Sequence, residues 1–306
     1  MTEPNIIEQF ENDLFGATSK IIAQRSQAVS RPQTLYHFTD AAGLTGICSS
    51  RTLRLHLVGT SNDASEGVYP IELAKEVARS SHFQTAAYRS SLLEHMETAD
   101  RPETATVAID HYISCLCEHE DSALHWLHYG RRGTGYALAM NPSELHRDNF
   151  VLVKVLYRPD DQRKLLEELF RTVHDVFQMY CRKHRFDDTD LWDKAGRFAA
   201  DQARLFRSQF KHEAFGEEKE WRVVTLETTD KSIRPENDIS IPVEFNQRAS
   251  QVVPFIPMPL THSAFNGIVC GFSSSHARDT RALDILSEDK LGRKLSIETS
   301  KVPIRP

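Results

Sequence analysis

Between residues 161 and 210 the apolar side chains recur at helical spacing. On either side of that stretch they alternate, or cluster with aromatic and β-branched residues, in the manner of strands. Leu165, Leu166, Leu169, Val173, Val176, Phe177 and Tyr180 form one stripe. Leu191, Trp192, Ala195, Phe198, Ala199, Leu205 and Phe206 form a second, with Gln202 a polar break. Two such stripes predict an antiparallel helical hairpin over about 160–212, inserted into a sheet-forming chain, so the fold class is α+β. An amphipathic start over residues 5 to 27, with Ile6, Ile7, Phe10 and Leu14 on one side, predicts a leading helix. The organisation expected is that helix in 1–30 and a single domain over 31–306 carrying the insertion. Another helix is expected over residues 71 to 98.

The strand-like parts hold ionisable groups where polar side chains are costly unless paired or functional. Tyr36-His37-Phe38-Thr39 reads as a strand, and Asp40 offers a cap for a helix containing Leu44 and Ile47. Glu220-Trp221-Arg222-Val223-Val224-Thr225-Leu226 reads as another. Begun slightly earlier, it would place Glu218, Glu220, Arg222 and Val224 on one face. Between them lies Trp126-Leu127-His128-Tyr129-Gly130. Gly130-Arg131-Arg132-Gly133-Thr134-Gly135 is neither a Walker loop nor a dinucleotide fingerprint; it can be a turn or a backbone approach to phosphate. Cys115, Cys117, His119, His125 and His128 form a rival, metal-type set, but lack paired Cys-x-x-Cys spacing.

The order of Tyr36-His37-Phe38-Thr39, Asn62-Asp63-Ala64-Ser65-Glu66, Trp126 to Gly130 with Gly135, Phe215 with Glu218, Glu220, Trp221 and Arg222, and finally Ile268-Val269-Cys270-Gly271 resembles a bacterial family. It is a domain of unknown function, numbered twenty-nine seventy-one, and the resemblance spans roughly residues 35 to 272. That family is in turn distantly similar to ADP-ribosyltransferases of the His-Tyr-Glu type. The resemblance implies a mixed ADP-ribosyltransferase-like β core with flanking helices, and NAD as substrate. His37 would contact ribose and Glu220 would be the catalytic carboxylate, with Glu218 as its Glu-x-Glu companion. Tyr129 would stack on nicotinamide, with Tyr136 as an alternative. Tyr36, Thr39, Trp126, Gly130 and Arg222 complete the expected cofactor-binding set. Cys117 stands where relatives carry a serine, and the Asn62 to Glu66 turn can cap a loop as well as touch ligand.

Chemistry of this kind develops positive charge on a ribose, which a fixed carboxylate stabilises and a flat aromatic complements. Glu220→Gln is therefore expected to keep the fold and lower turnover. With 37 Lys and Arg against 43 Asp and Glu, a net charge of -6 gives no global basic field for nucleic acid. Arg182-Lys183-His184-Arg185 reads as a helix end. Five scattered Cys without a secretory signal suggest a cytoplasmic protein, and no apolar run is long enough for a membrane span. Two function classes follow. One is an NAD-consuming enzyme that transfers ADP-ribose to a macromolecule or hydrolyses NAD, in antiphage defence or as a toxin. The other is a non-catalytic module that senses a nucleotide or recruits a protein partner through the hairpin.

Overall fold

A computed structural model describes residues 3–28, 30–60, 68–82, 85–98, 109–147, 149–184, 189–228, 242–248, 251–272 and 280–304. The Asn62 to Glu66 turn lies outside these residues. In chain order the elements are α1 (Glu3–Ala28), β1 (Leu35–Thr39), α2 (Ala41–Ser50), β2 (Thr52–Leu57), α3 (Tyr69–Ser80), α4 (Ala86–Thr98), β3 (Ile109–Cys117), α5 (Ala123–His128) and β4 (Tyr136–Met140). They continue with β5 (Val151–Lys154), α6 (Pro159–His184), α7 (Thr189–Arg204), β6 (Glu220–Thr228), β7 (Glu244–Arg248), β8 (Gln251–Pro259), β9 (Phe265–Cys270), α8 (Thr280–Leu291) and β10 (Ser296–Thr299). The result is mixed α and β, with one large sheet of both strand senses: β10 runs parallel to β9, and the other pairs are antiparallel.

The first hydrophobic stripe becomes α6 and the second α7, whose last two stripe residues, Leu205 and Phe206, lie in a 3₁₀ turn over Leu205–Ser208. Pro159 opens α6, where a missing N–H costs nothing, and Asp160 and Asp161 in its first turn favour the positive end of the helix dipole. The hairpin does not stand alone. Its apolar faces merge with those of α1, α3 and α4 into a separate helical core that includes Phe10, Leu14, Leu92, Phe170 and Phe177. Each such side chain contributes about 1.5–3 kcal/mol when fully buried, so a handful suffices to dock a helix. Phe10 meets Phe177 and Tyr180 edge-on, and the Tyr180 hydroxyl donates to Asp13 at 2.7 Å, tying α1 to α6.

The single helix expected over 71 to 98 is two helices. The hydroxyls of Ser80 and Ser81 both donate back to the Val77 carbonyl, and Ser81 has extended backbone. Side-chain bonds of this kind compete with helix propagation and end α3 there. Among the described residues no helix is long and apolar enough to cross a membrane.

The sheet has a parting. β6 covers one edge of β3 along its whole length, from Ile109↔Thr228 to Cys117↔Glu220. On the opposite edge β1 pairs only at Tyr36↔Cys117, while β2 pairs at His56↔Ile113 and Leu57↔Tyr112. From there β1 continues into β4 and β9, and β2 into β8 and β7. Two wings therefore leave one edge of β3 at different points, β1 at its C-terminal end and β2 at its middle. The α2 helix bridges them, its N-terminus capped by Asp40, whose carboxylate accepts from the Gly43 N–H at 2.8 Å.

Candidate functional site

A cavity of about 460 Å³ occupies the parting. β1 supplies Tyr36, His37 and Thr39 to its wall, β3 supplies Ser114 to Cys117, and one face of α2 supplies Gly43, Gly46 and Ser50. Tyr129, Lys211, Glu218 and Glu220 close one end. Residues some 180 positions apart in the chain thus share one wall.

His37 fills the gap left where β1 and β2 separate. Its Nδ1 lies 2.9 Å from the Cys115 carbonyl. A carbonyl only accepts, so Nδ1 carries the proton. Burial lowers the pKa of the ring, against the opposing effect of that hydrogen bond, and the neutral imidazole presents a lone pair at Nε2.

The other end is a buried quartet. Arg222, on β6 beside Glu220, has no exposed surface, and its Nε and terminal nitrogen reach the two oxygens of Glu220 at 2.9 and 3.1 Å. Lys211 bridges Glu218 at 2.5 Å and Glu220 at 3.1 Å. The Tyr129 hydroxyl donates to the remaining oxygen of Glu218 at 3.0 Å. Two carboxylates and two cations leave the cluster neutral in sum. Burial alone would raise the Glu220 pKa, but Arg222 and Lys211 outweigh it and hold the carboxyl down at about 2. Burial acts to lower the Lys211 pKa, and so does the Arg222 charge, but Glu220 and Glu218 together hold it above its ordinary value. Burial and the Glu218 charge raise the Tyr129 phenol, which stays protonated.

Glu218 does not continue the strand as the alternation suggested. It ends a tight 3₁₀ turn over Glu213–Glu218, and Lys219 takes a left-handed backbone, φ 46°, before β6 begins. That turn, rather than a shared strand face, brings Glu218 beside Glu220. Glu220 and Arg222 do share a face, as expected.

Of the cofactor-binding residues inferred from sequence, Tyr36, His37, Thr39 and Tyr129 line the cavity, while Trp126, Gly130, Tyr136 and Arg222 stand outside its wall. Trp126 is fully buried beneath Phe38, and its indole N–H donates to Asp121 at 2.7 Å. Gly130 packs on that indole: a Cβ there would lie 2.5 Å from the ring. Tyr136 begins β4 and is buried between Thr39 and Cys270. Arg222 sits behind Glu220. The Gly130 to Gly135 loop likewise lies away from the cavity; Gly133, at φ 82°, carries its backbone against Phe272, where any Cβ would collide. Cys117, in the serine-like position, is buried. Its thiol donates to the His119 carbonyl, and burial pushes it up to about 12. Among the described residues no group of three or more His, Cys, Asp or Glu is placed to hold a metal ion.

The comparisons with known proteins bear on the closed end of this cavity. Residues 125–223 match the model of a family described as a protein of unknown function, DUF2971. The matched stretch, about a third of the chain, holds Tyr129, Lys211, Glu218, Glu220 and Arg222, whereas β1, α2 and β2 precede it. No curated protein and no solved structure matches the chain.

Several wall residues left little trace in the sequence. Lys211 follows Phe210 in a short irregular segment with no periodicity to betray burial. His125, within the DUF2971 match, lines the wall but had suggested only metal binding. Burial, with His119 nearby, lowers its ring to about 4 from an ordinary 6.5, and burial on β3 does the same to His111. Both rings are neutral in the fold, whereas the unfolded chain takes up protons below about 6.5. Unfolding free energy should therefore fall as pH drops from about 6.5 toward 4, and the contribution is complete above that window. Glu220 adds a separate loss only from about 4.5 down through 2. Denaturant titrations at pH 7.5 and 5 check this, and His111→Asn with His125→Asn should reduce the difference, the remainder coming from rings such as His37 and His174 that burial also holds down. An unchanged slope in that double variant would assign the loss elsewhere.

Proposed function

We propose that the cavity between β1 and β2 binds NAD and that the protein cleaves its nicotinamide glycosidic bond, passing ADP-ribose to a macromolecular acceptor or to water, as ADP-ribosyltransferase-like proteins of the His-Tyr-Glu type do. The observation that carries this reading is the meeting of His37, Tyr129, Glu218 and Glu220, from three remote segments, on one wall. The volume falls within the range of small-molecule sites. The half-exposed Tyr129 ring offers a flat face for a pyridinium, and His37 Nε2 offers an acceptor for a ribose hydroxyl. In the reaction the C1′–N bond breaks and nicotinamide leaves with the bonding pair. The acceptor's nucleophilic atom bonds to C1′ and gives up its proton. Positive charge grows on the ribose as the bond stretches, and Glu220, ionised at any physiological pH, faces it. A bacterial role in antiphage defence or as a toxin fits such chemistry.

One observation favours the second reading, a nucleotide-sensing module without turnover. Both Glu220 oxygens are already engaged by Arg222 and Lys211, which offset the charge that catalysis would use. Nicotinamide release by the purified protein, with NAD and with cell extract as a source of acceptors, separates the two. Binding is tested at Tyr129. Tyr129→Phe keeps the ring and should keep NAD affinity, whereas Tyr129→Ala should weaken it roughly 2- to 30-fold, the range of a cation–π contact. Equal affinities in all three proteins would remove Tyr129 from the site.

A further inference from the structure

The wall contributed by β2 is built unlike the rest. Leu53 and Leu55 are buried in the sheet core, and the alternate residues Thr52, Arg54 and His56 line the cavity, with Leu53 and Leu57 also bordering it. Arg54 carries its guanidinium over the Phe255 ring, 4.8 Å from the centroid. That stacking fixes the group and leaves its N–H fork available. Ser50, from the last turn of α2, lies beside Thr52, their hydroxyl oxygens 2.7 Å apart, and both line the same wall.

Charge accounting gives this end its meaning. The carboxylates of the lining are Glu218 and Glu220, and Lys211 with Arg222 already matches them. Arg54 has no carboxylate partner among the described residues. The cavity is thus neutral at its closed end and positive at the β2 end, with two hydroxyls beside the charge that bond to the Gly46 carbonyl and to each other and can rotate toward a ligand. A planar cation with neighbouring hydroxyls is the donor set that suits a phosphate. We propose that Arg54, with Ser50 and Thr52, forms the subsite that takes the phosphate or diphosphate of a nucleotide whose ribose end lies toward Glu220. The assignment rests on the nucleotide reading of the cavity and names the residue that orients the ligand in it.

Calorimetric titration tests it with ADP-ribose and inorganic pyrophosphate as phosphate-bearing probes and nicotinamide riboside as the phosphate-free one. Arg54→Met keeps the apolar stem over Phe255 and removes the charge. It should weaken ADP-ribose and pyrophosphate about 10- to 100-fold, the range of charge-assisted hydrogen bonds, and leave nicotinamide riboside unchanged. Arg54→Lys should fall between, since it keeps the charge without the fork. Arg54→Gln replaces the Met variant if the latter shifts the melting temperature. Failure of the parent protein to bind either phosphate probe would overturn the subsite, and so would undiminished binding in the charge-free variant. ADP-ribose held through Arg54 without nicotinamide release from NAD would instead overturn the enzymatic reading and leave the phosphate subsite standing.

Discussion

Glu220→Gln should cost about 3–5 kcal/mol of stability at neutral pH, because it leaves the wholly buried Arg222 guanidinium without its bidentate partner and Lys211 with only Glu218. The Coulomb attraction of such a quartet does not by itself make it strongly stabilising. Desolvation of four charges offsets most of the gain, and the large cost appears when one member is removed. Adding Arg222→Met to Glu220→Gln should therefore recover a substantial part of the loss by withdrawing the stranded cation. Urea titrations of the parent, the single and the double variant form the measurement. A loss below about 1 kcal/mol in the single variant would mean that the quartet is more hydrated than its burial indicates. This revises the expectation from sequence that Glu220→Gln leaves the fold intact. Lost activity in that variant alone does not identify a catalytic group, so the chemistry has to be tested elsewhere on the wall.

How the sequence foretold some of this site and not the rest follows from where each signal resides. His37 was legible because one ionisable residue interrupts an aromatic strand, and Asp40 because a cap is a local event: one carboxylate and one N–H three residues on. The stripes of α6 and α7 were legible because helical period is written in consecutive residues. The break between α3 and α4 depends on which acceptor the hydroxyls of Ser80 and Ser81 choose, a competition that composition does not display. The place of Glu218 depends on the left-handed turn at Lys219, a residue type that gives no such warning. Gly130 reads as a turn or a phosphate contact, yet its small size serves the Trp126 ring. The parting of β1 from β2, which makes the cavity, is a fact of topology. No local pattern encodes that two strands leave one edge of β3 at separate points, so Arg54 and Lys211 could not be joined to the site beforehand.

The second large effect is expected from closing the cavity without touching its charged groups. Gly46 opens onto it from the middle of α2, and a Cβ built there meets no heavy atom within 4 Å. Gly46→Leu should therefore fold unstrained and gain up to about 1 kcal/mol, since glycine is a poor residue for a helix interior. Its side chain would take the space between α2 and the β3 floor. Displacing a ligand by even an ångström from its reactive geometry can cost about 100-fold in rate, so release of nicotinamide should fall by at least that factor. A variant that is stable and inactive cannot be dismissed as misfolded.

Nicotinamide release from NAD by the parent protein and by Gly46→Leu, assayed side by side with and without cell extract and with melting temperatures recorded on the same preparations, tests the central claim most directly. The expected result is release by the parent and about 100-fold less by a variant that melts at the same temperature or higher. No release by the parent in either condition, or equal release by the two proteins, would contradict the assignment of NAD cleavage to this cavity.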